Sequence, residues 1–334
     1  MEIGIVFFRL PLLTARIMWI LIGYILVFVV SMAALVKASD WFVSGAEVVG
    51  RSAGISPFVI GVTLVAFGTS LPELAASIAA VFSGSSEIVI GNVVGSNITN
   101  ILLVLGLSAV IGKEIIMDKS TTDSKVLMLL ASAFLLYFTL QDGRLDLFET
   151  LLFLAGMVLF LVSSIRGKSS RTSDNAKASM RSYLMMIGGA VIVYAGAHFT
   201  IMSLEYISEY MGVSNELIAL TGVALGTSLP EVVVSVTAVQ KGKSDIAIGN
   251  VLGSNIFNTF IVMGIPGLIS YFQNLGTDES LLTIPDSLIQ LSLPFMVAVT
   301  ILFCFMFVES KINRSEGWML ILLYVFFVYM IFQY

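Results

Sequence analysis

Long apolar runs separated by short polar turns organise this chain. Residues 17–36 carry no charge, and about 20 such residues cross a bilayer as a helix. The helical pattern continues through Trp41 to Val48, which predicts a long, tilted first helix. Residues 1–16 are apolar but include Arg9, Pro11 and Arg16. Arg9 interrupts what would be the apolar centre of a signal peptide, so a short interfacial segment is expected there. Further spans are predicted near 57–82, 86–111, 125–140, 145–165, 182–210, 214–240, 244–271, 286–308 and 316–333. One hydrophilic linker, 166–181, divides them and is rich in Ser, Lys and Arg. The expected fold is an all-α membrane protein of ten transmembrane helices, with halves at 1–165 and 182–334.

Basic residues give this pattern a direction. Alternate loops hold thirteen Lys and Arg, from Arg51 through Lys113, Lys241 and Lys243 to Arg314. The other side holds Arg9, Arg16 and Arg144, and Lys37 lies within the first helix. Cytoplasmic loops collect Lys and Arg. The linker is therefore expected in the cytoplasm, both termini outside, and the chain in the cell membrane as a multi-pass protein. Five crossings per half turn the second half over, so the halves are expected as inverted repeats.

The repeat is written in the residues. Residues 54–100 and 212–258 align without gaps at a displacement of 158, with 27 identities in 47 positions. These stretches open two core repeats expected over 54–111 and 212–270. The clearest shared motif is Gly68–Thr69–Ser70–Leu71–Pro72–Glu73, returning as Gly226–Thr227–Ser228–Leu229–Pro230–Glu231. A charged side chain at membrane depth costs a few kcal/mol or more and marks a functional site. A proline within a helix frees a backbone carbonyl, and in a membrane such a carbonyl is tolerated where it lines a polar cavity.

Ala66, Thr69, Ser70, Glu73 and Ser77 share one helical face, as do Ala224, Thr227, Ser228, Glu231 and Ser235. Small and hydroxyl residues also let membrane helices pack closely. That reading suits Ser77 and Ser235, yet it leaves Glu73 and Glu231 unexplained. A second motif follows each stripe, Gly91–Asn92 through Gly95–Ser96–Asn97 to Asn100, and Gly249–Asn250 through Gly253–Ser254–Asn255 to Asn258. Asn92, Ser96 and Asn100 recur every four residues and offer neutral oxygens. For Asn97 and Asn255, hydrogen bonding between helices competes evenly with ligation.

Composition narrows the chemistry. The chain is 57% apolar and 12% charged, against about 25% charged in soluble domains. Its one cysteine, Cys304, and one histidine, His198, leave no disulfide, thiolate cluster or His-rich metal site within the chain. Hard oxygen donors suit Ca²⁺ or Na⁺, whereas Mg²⁺ gives up its water reluctantly. Two carboxylates balance one Ca²⁺ or two Na⁺, as an exchanger needs. No nucleotide motif, no nucleic-acid-binding pattern, no protein partner and no convincing protease constellation are read here. The expectation is a transporter in the lipid bilayer, not an enzyme, without a cofactor. Asp40 is read as a partner for Lys37 or a solvated helix end, and His198 as a packing residue.

The paired GTSLPE and GNxxGSN motifs resemble the two alpha-repeats of the sodium/calcium exchanger family, within the cation/calcium antiporter superfamily, and most of all its short prokaryotic members. The resemblance implies antiport of several Na⁺ for one Ca²⁺ by alternating access. Four central helices would surround the ions, and two long helices, about 17–50 and 182–210, would slide across them. It implies ligand carbonyls at Ala66 and Ala224, hydroxyls or carbonyls at Thr69, Ser70, Thr227 and Ser228, and carboxylates at Glu73 and Glu231. Asn100, Ser254 and Ser96 resemble further ligands. Asn258 stands where some relatives, including the K⁺-dependent branch, carry aspartate, so K⁺ co-transport is not expected. The alternatives are a Ca²⁺/H⁺ or other cation exchanger and, less favoured, a channel.

Overall fold

The computed structural model describes residues 3–82, 84, 86–116, 119–166, 178–210, 226–274, 282, 284–286, 288–309 and 311–333. Ala224 and most of the linker lie outside the described residues. The chain is helical almost throughout, as a bilayer demands of backbone groups that have no water to bond. Helix α1 is Ile3–Ser52. A broken segment follows as α2, Pro57–Thr69, and α3, Leu71–Phe82, bent by 41°. Next come α4 (86–112), α5 (Lys119–Thr139), α6 (Leu147–Arg166) and α7 (Met180–Tyr210). After the undescribed stretch come α8 (Leu229–Gln240), α9 (Ser244–Gln273), α10 (288–308) and α11 (Arg314–Gln333). Among the described residues, seven helices are long and apolar enough to cross a membrane, or eight with the bent pair as one span.

One boundary differs from the expectation. Residues 3–16 do not form a separate segment but continue α1, with Pro11 inside it. No glycine or turn residue between Pro11 and Met18 stops the helix. Pro11 lies in the third turn of α1, where it removes one backbone bond without ending the helix.

Burial separates two layers. The middle of α4 and nearly all of α9 are buried: 78% and 94% of their apolar windows lie inside the protein. Only 11% of the α1 window does. Phe148, Phe305, Leu322 and Trp19 point outward from the peripheral helices, where a bilayer solvates them.

Helices α1 and α7 pair along their length. Glycine makes this possible: a Cβ on Gly45 would stand 2.5 Å from Met186 N, and one on Gly189 2.7 Å from Phe42 N. Small residues of this kind let membrane helices touch backbone to backbone. A buried Ser31–Thr200 hydroxyl pair, 2.8 Å apart, adds a polar link. Phe42 of this pair leans on Gly68, and Ile201 on Gly226.

Loops are tied in two groups. Glu114–Ile116 (β1) and Lys311–Asn313 (β2) form a short antiparallel ribbon, Ile115 opposite Ile312. Lys243 pairs with Glu47, which also binds Arg51 at 3.1 Å. Elsewhere Leu145 N donates to Leu282 O and Ile284 N to Gly143 O.

Candidate functional site

The segment before Glu73 breaks where its sequence says it must. Pro72 cannot donate to the helical ladder, and Ser70 leaves helical geometry at φ −91°, ψ 9° between α2 and α3. Ser228 does the same at φ −83°, ψ 2° ahead of α8. Each break puts a glutamate in the first turn of the following helix. There the free amide ends favour negative charge.

Helix α9 crosses α2 at backbone distance. A Cβ on Gly249 would lie 2.5 Å from Phe58 O and 3.0 Å from Gly61 Cα, and one on Gly253 2.7 Å from Ala66 Cβ. Gly249 and Gly253 thus serve close approach, whereas a Cβ on Gly91 would meet nothing within 4 Å. The close approach brings Asn250 and Ser254 onto Thr69.

The two halves then bond to each other in a reciprocal pattern. Thr69 Oγ1 donates to Asn250 Oδ1 at 3.1 Å, and Thr227 Oγ1 donates to Asn92 Oδ1 at 3.3 Å. Asn92 Nδ2 donates to the Glu73 carbonyl and to Ser77 Oγ, both at 3.0 Å. Asn250 Nδ2 donates to Ser235 Oγ at 2.9 Å. Ser77 and Ser235 therefore hold asparagines in place, which agrees with their packing reading. The reciprocal Thr–Asn bonds were not anticipated, because they join residues of opposite repeats.

Glu73 and Glu231 are both fully buried and near each other, with Thr227 facing Glu73. Their surroundings differ. Glu231 Oε1 accepts from Ser70 Oγ at 3.0 Å and Ser254 Oγ at 3.4 Å. Among the described residues, both Glu73 oxygens, Glu231 Oε2 and Ser228 Oγ have no hydrogen-bond partner. Asn100 and Asn258 are fully buried, and among the described residues neither amide atom of either has a partner. Each starts a π-helical turn, Asn100–Val104 and Asn258–Val262, a distortion common at functional sites. Buried polar groups are nearly always bonded, so these oxygens stand out, and they are hard donors of the type that suits Ca²⁺ or Na⁺.

Other candidates are already engaged. Ala66 O accepts from Ser70 N at 3.0 Å and from Thr69 Oγ1 at 3.3 Å. Ser96 Oγ donates to Asn92 Oδ1 at 3.4 Å and stands 3.5 Å from Thr227 Oγ1. Asn97 Nδ2 donates to Thr259 Oγ1 at 3.2 Å, and Asn255 Nδ2 to Asn97 O at 3.2 Å. These two asparagines bond between helices through Nδ2, while their buried Oδ1 atoms have no partner among the described residues, so both roles stay open to them. His198 is exposed and stacks edgewise on Phe199. Asp40 lies 3.9 Å from Lys37, as expected, but closer to Lys241, at 3.1 Å. Among the described residues no group of three or more His, Cys, Asp or Glu side chains gathers.

An oxygen-lined nest with two carboxylates, enclosed by apolar helices, defines an ion-transporting membrane protein. Comparison with known proteins names the kind. The profile of the sodium/calcium exchanger protein family matches residues 23–166 and 181–333, and the chain belongs to that family of antiporters. The chain is 33% identical over 320 residues to the putative antiporter CaxA of Alkalimonas amylolytica, covering 91% of this chain and 97% of that one. It is also 33% identical to the sodium/calcium exchanger MaX1 of Methanosarcina acetivorans, over 92% of this chain and 98% of the relative. A solved structure of the sodium-calcium exchanger NCX_Mj, soaked with zero Na⁺ and Ca²⁺, superposes with a TM-score of 0.80 at 30% identity. That match covers 93% of this chain and 99% of the other.

Proposed function

We propose that this protein exchanges several Na⁺ for one Ca²⁺ across the cell membrane by alternating access. The observation that carries the reading is the cluster of buried oxygens without a partner among the described residues: both of Glu73, Oε2 of Glu231 and the amide oxygens of Asn100 and Asn258. Two fixed negative charges balance one Ca²⁺ or two Na⁺, so the loads compete for the same oxygens. Thr69, Ser70, Thr227, Ser228, Ser96 and Ser254 supply hydroxyls, and the carbonyls of Ala66 and Ala224 complete the set. The ions are cargo, and the opposing gradient supplies the energy.

Ten crossings in two inverted halves, 1–165 and 182–334, fit this role. Two shorter apolar helices, Lys125–Thr139 and Leu229–Gln240, stand beside the seven long helices and the bent pair. The reciprocal bonds Thr69–Asn250 and Thr227–Asn92 support a two-fold relation between the halves. The loop ties support alternating sides, since contacts join only loops of the same parity. We place the 166–181 linker in the cytoplasm and both termini outside. A cysteine replacing Ser170, in a background without Cys304, is expected to react only with reagents that reach the cytoplasm. Labelling from outside intact cells would reverse the orientation.

The test of function is Ca²⁺ uptake into reconstituted vesicles loaded with Na⁺. Uptake should require the outward Na⁺ gradient and vanish when Na⁺ is equal on both sides. Uptake driven instead by a proton gradient would favour a Ca²⁺/H⁺ exchanger, and uptake with neither gradient a channel. The same assay tests Asn258, which adds no charge for a K⁺ ion. Replacing K⁺ by an organic cation should leave the rate unchanged, and a strict K⁺ requirement would refute this role of Asn258.

A further inference from the structure

Helix α1 is clamped to the end of α8 at the face that carries Arg51, Lys241 and Lys243. Lys241 Nζ lies 3.1 Å from Asp40 Oδ1, and it donates to Asp40 O at 2.9 Å and to Ser44 Oγ at 3.0 Å. Lys243 pairs with Glu47. Just over one turn deeper, the buried Ser39 and Thr237 hydroxyls meet at 2.8 Å. The same short helix thus begins at the candidate ligand Glu231 and ends at this clamp.

The sequence displacement of 158 assigns each clamp residue a counterpart at the other end of the α1–α7 pair. Ser39 and Thr237 correspond to Ala197 and Ala79, so the hydroxyl pair becomes two methyls. Asp40 corresponds to His198, Ser44 to Met202, and Lys241 and Lys243 to Ser83 and Ser85. Only Glu47 keeps its charge, as Glu205. The packing is equally one-sided. Helix α1 lies along α8, whereas among the described residues α7 makes no comparable contact with α3.

We propose that Asp40, Glu47, Lys241 and Lys243 form an electrostatic latch that holds the α1–α7 pair against α8, closing the site toward that face. Among the described residues the other face has no matching latch. This rests on the alternating-access reading above. Single exposed ion pairs contribute little. Here two ion pairs, two further hydrogen bonds from the Lys241 ammonium and one neutral hydroxyl pair act on one rigid helix, and the four charged side chains are 16–38% exposed. Because α1 is locked to α7 by glycine contacts, it cannot move from α8 residue by residue. Its release breaks the whole set at once. The latch therefore sets how often the site opens to each face, without touching the ions. Partly exposed pairs are also weakened by salt, whose screening length is about 8 Å at physiological strength.

The test uses the full-length protein in vesicles, with Cys304→Ser and spin labels at exposed Ser52 and Ile116. Distances between them are measured in Na⁺ and in Ca²⁺. The unmodified latch should concentrate the population on one distance. Lys241→Gln with Lys243→Gln should shift the ratio of two populations by a factor of about 5–30, the range that 1–2 kcal/mol produces. Lys241→Arg with Lys243→Arg, which keeps both charges and their donors, should hold the original ratio. High choline chloride should move the original protein in the direction of the Gln variant. A Gln variant with an unchanged distribution overturns the latch, and so does an Arg variant that shifts as far as the Gln variant. A protein with identical distances in Na⁺ and Ca²⁺, yet shifted by Lys241→Gln, would overturn alternating access and keep the latch.

Discussion

Glu73→Gln should reduce Na⁺-driven Ca²⁺ uptake by at least two orders of magnitude. The substitution keeps the size of the side chain and removes one of two buried negative charges. In a partly desolvated site with an effective dielectric near 20, a unit charge pair at 4 Å is worth roughly 4 kcal/mol, and more for a divalent ion. About 1.4 kcal/mol is tenfold in affinity, so losing two thirds of that term suffices. Glu231→Gln should act in the same direction. Its amide oxygen can still accept from Ser70 and Ser254, which bind Oε1 now, so the fold around it is retained. Uptake is measured in Na⁺-loaded vesicles, with Ca²⁺ binding followed at varied Na⁺. If both variants exchange at the original rate, these glutamates are not the ion site. Normal binding without transport would assign them to gating instead.

Gly249→Ala should be strongly damaging although it touches no candidate ligand. Its Cβ would meet Phe58 O at 2.5 Å, Val62 N at 2.9 Å and Gly61 Cα at 3.0 Å. All three are backbone atoms, so no side chain can swing away and α9 must part from α2. Overpacking of this kind costs about 1–3 kcal/mol. The functional loss should be larger. Asn250 adjoins the substitution and holds Thr69 across the same crossing, and a misplacement of about 1 Å can cost 10²-fold in rate. Gly188→Ala is the control, since a Cβ there meets nothing within 4 Å. A Gly249→Ala protein with unaltered melting temperature and transport would show that the crossing relaxes freely.

Much of the site was legible because the chain repeats it. Glu73 and Glu231 stood out as carboxylates in apolar segments, and Pro72 and Pro230 located the breaks at Ser70 and Ser228. What one helix does to another was less legible. The amides of Asn92 and Asn250 read as ligands by spacing, yet their Nδ2 groups hold Ser77, Ser235 and the Glu73 carbonyl. Their Oδ1 atoms receive threonines from the opposite half. Helical periodicity reports which residues share a face, not which distant face they meet. Asp40 illustrates the same limit. Its neighbour Lys37 was visible at i−3, while Lys241, the nearer partner, is 201 residues away.

The bond between Thr69 and Asn250 spans 181 residues, and that distance sets an order of events during synthesis. At roughly 5–20 residues per second, a ribosome needs about 9–36 s to make the intervening chain. Throughout that interval the nascent first half carries Glu73 without the completed α9, which packs against α2 at backbone distance in the finished protein. An unaccompanied charge at bilayer depth costs a few kcal/mol or more. The segment Leu71–Phe82 should therefore be the last part of the first half to settle in the bilayer. Stalled chains that end before Ser244 are expected to leave Glu73 open to water, and chains that extend past α9 to seal it.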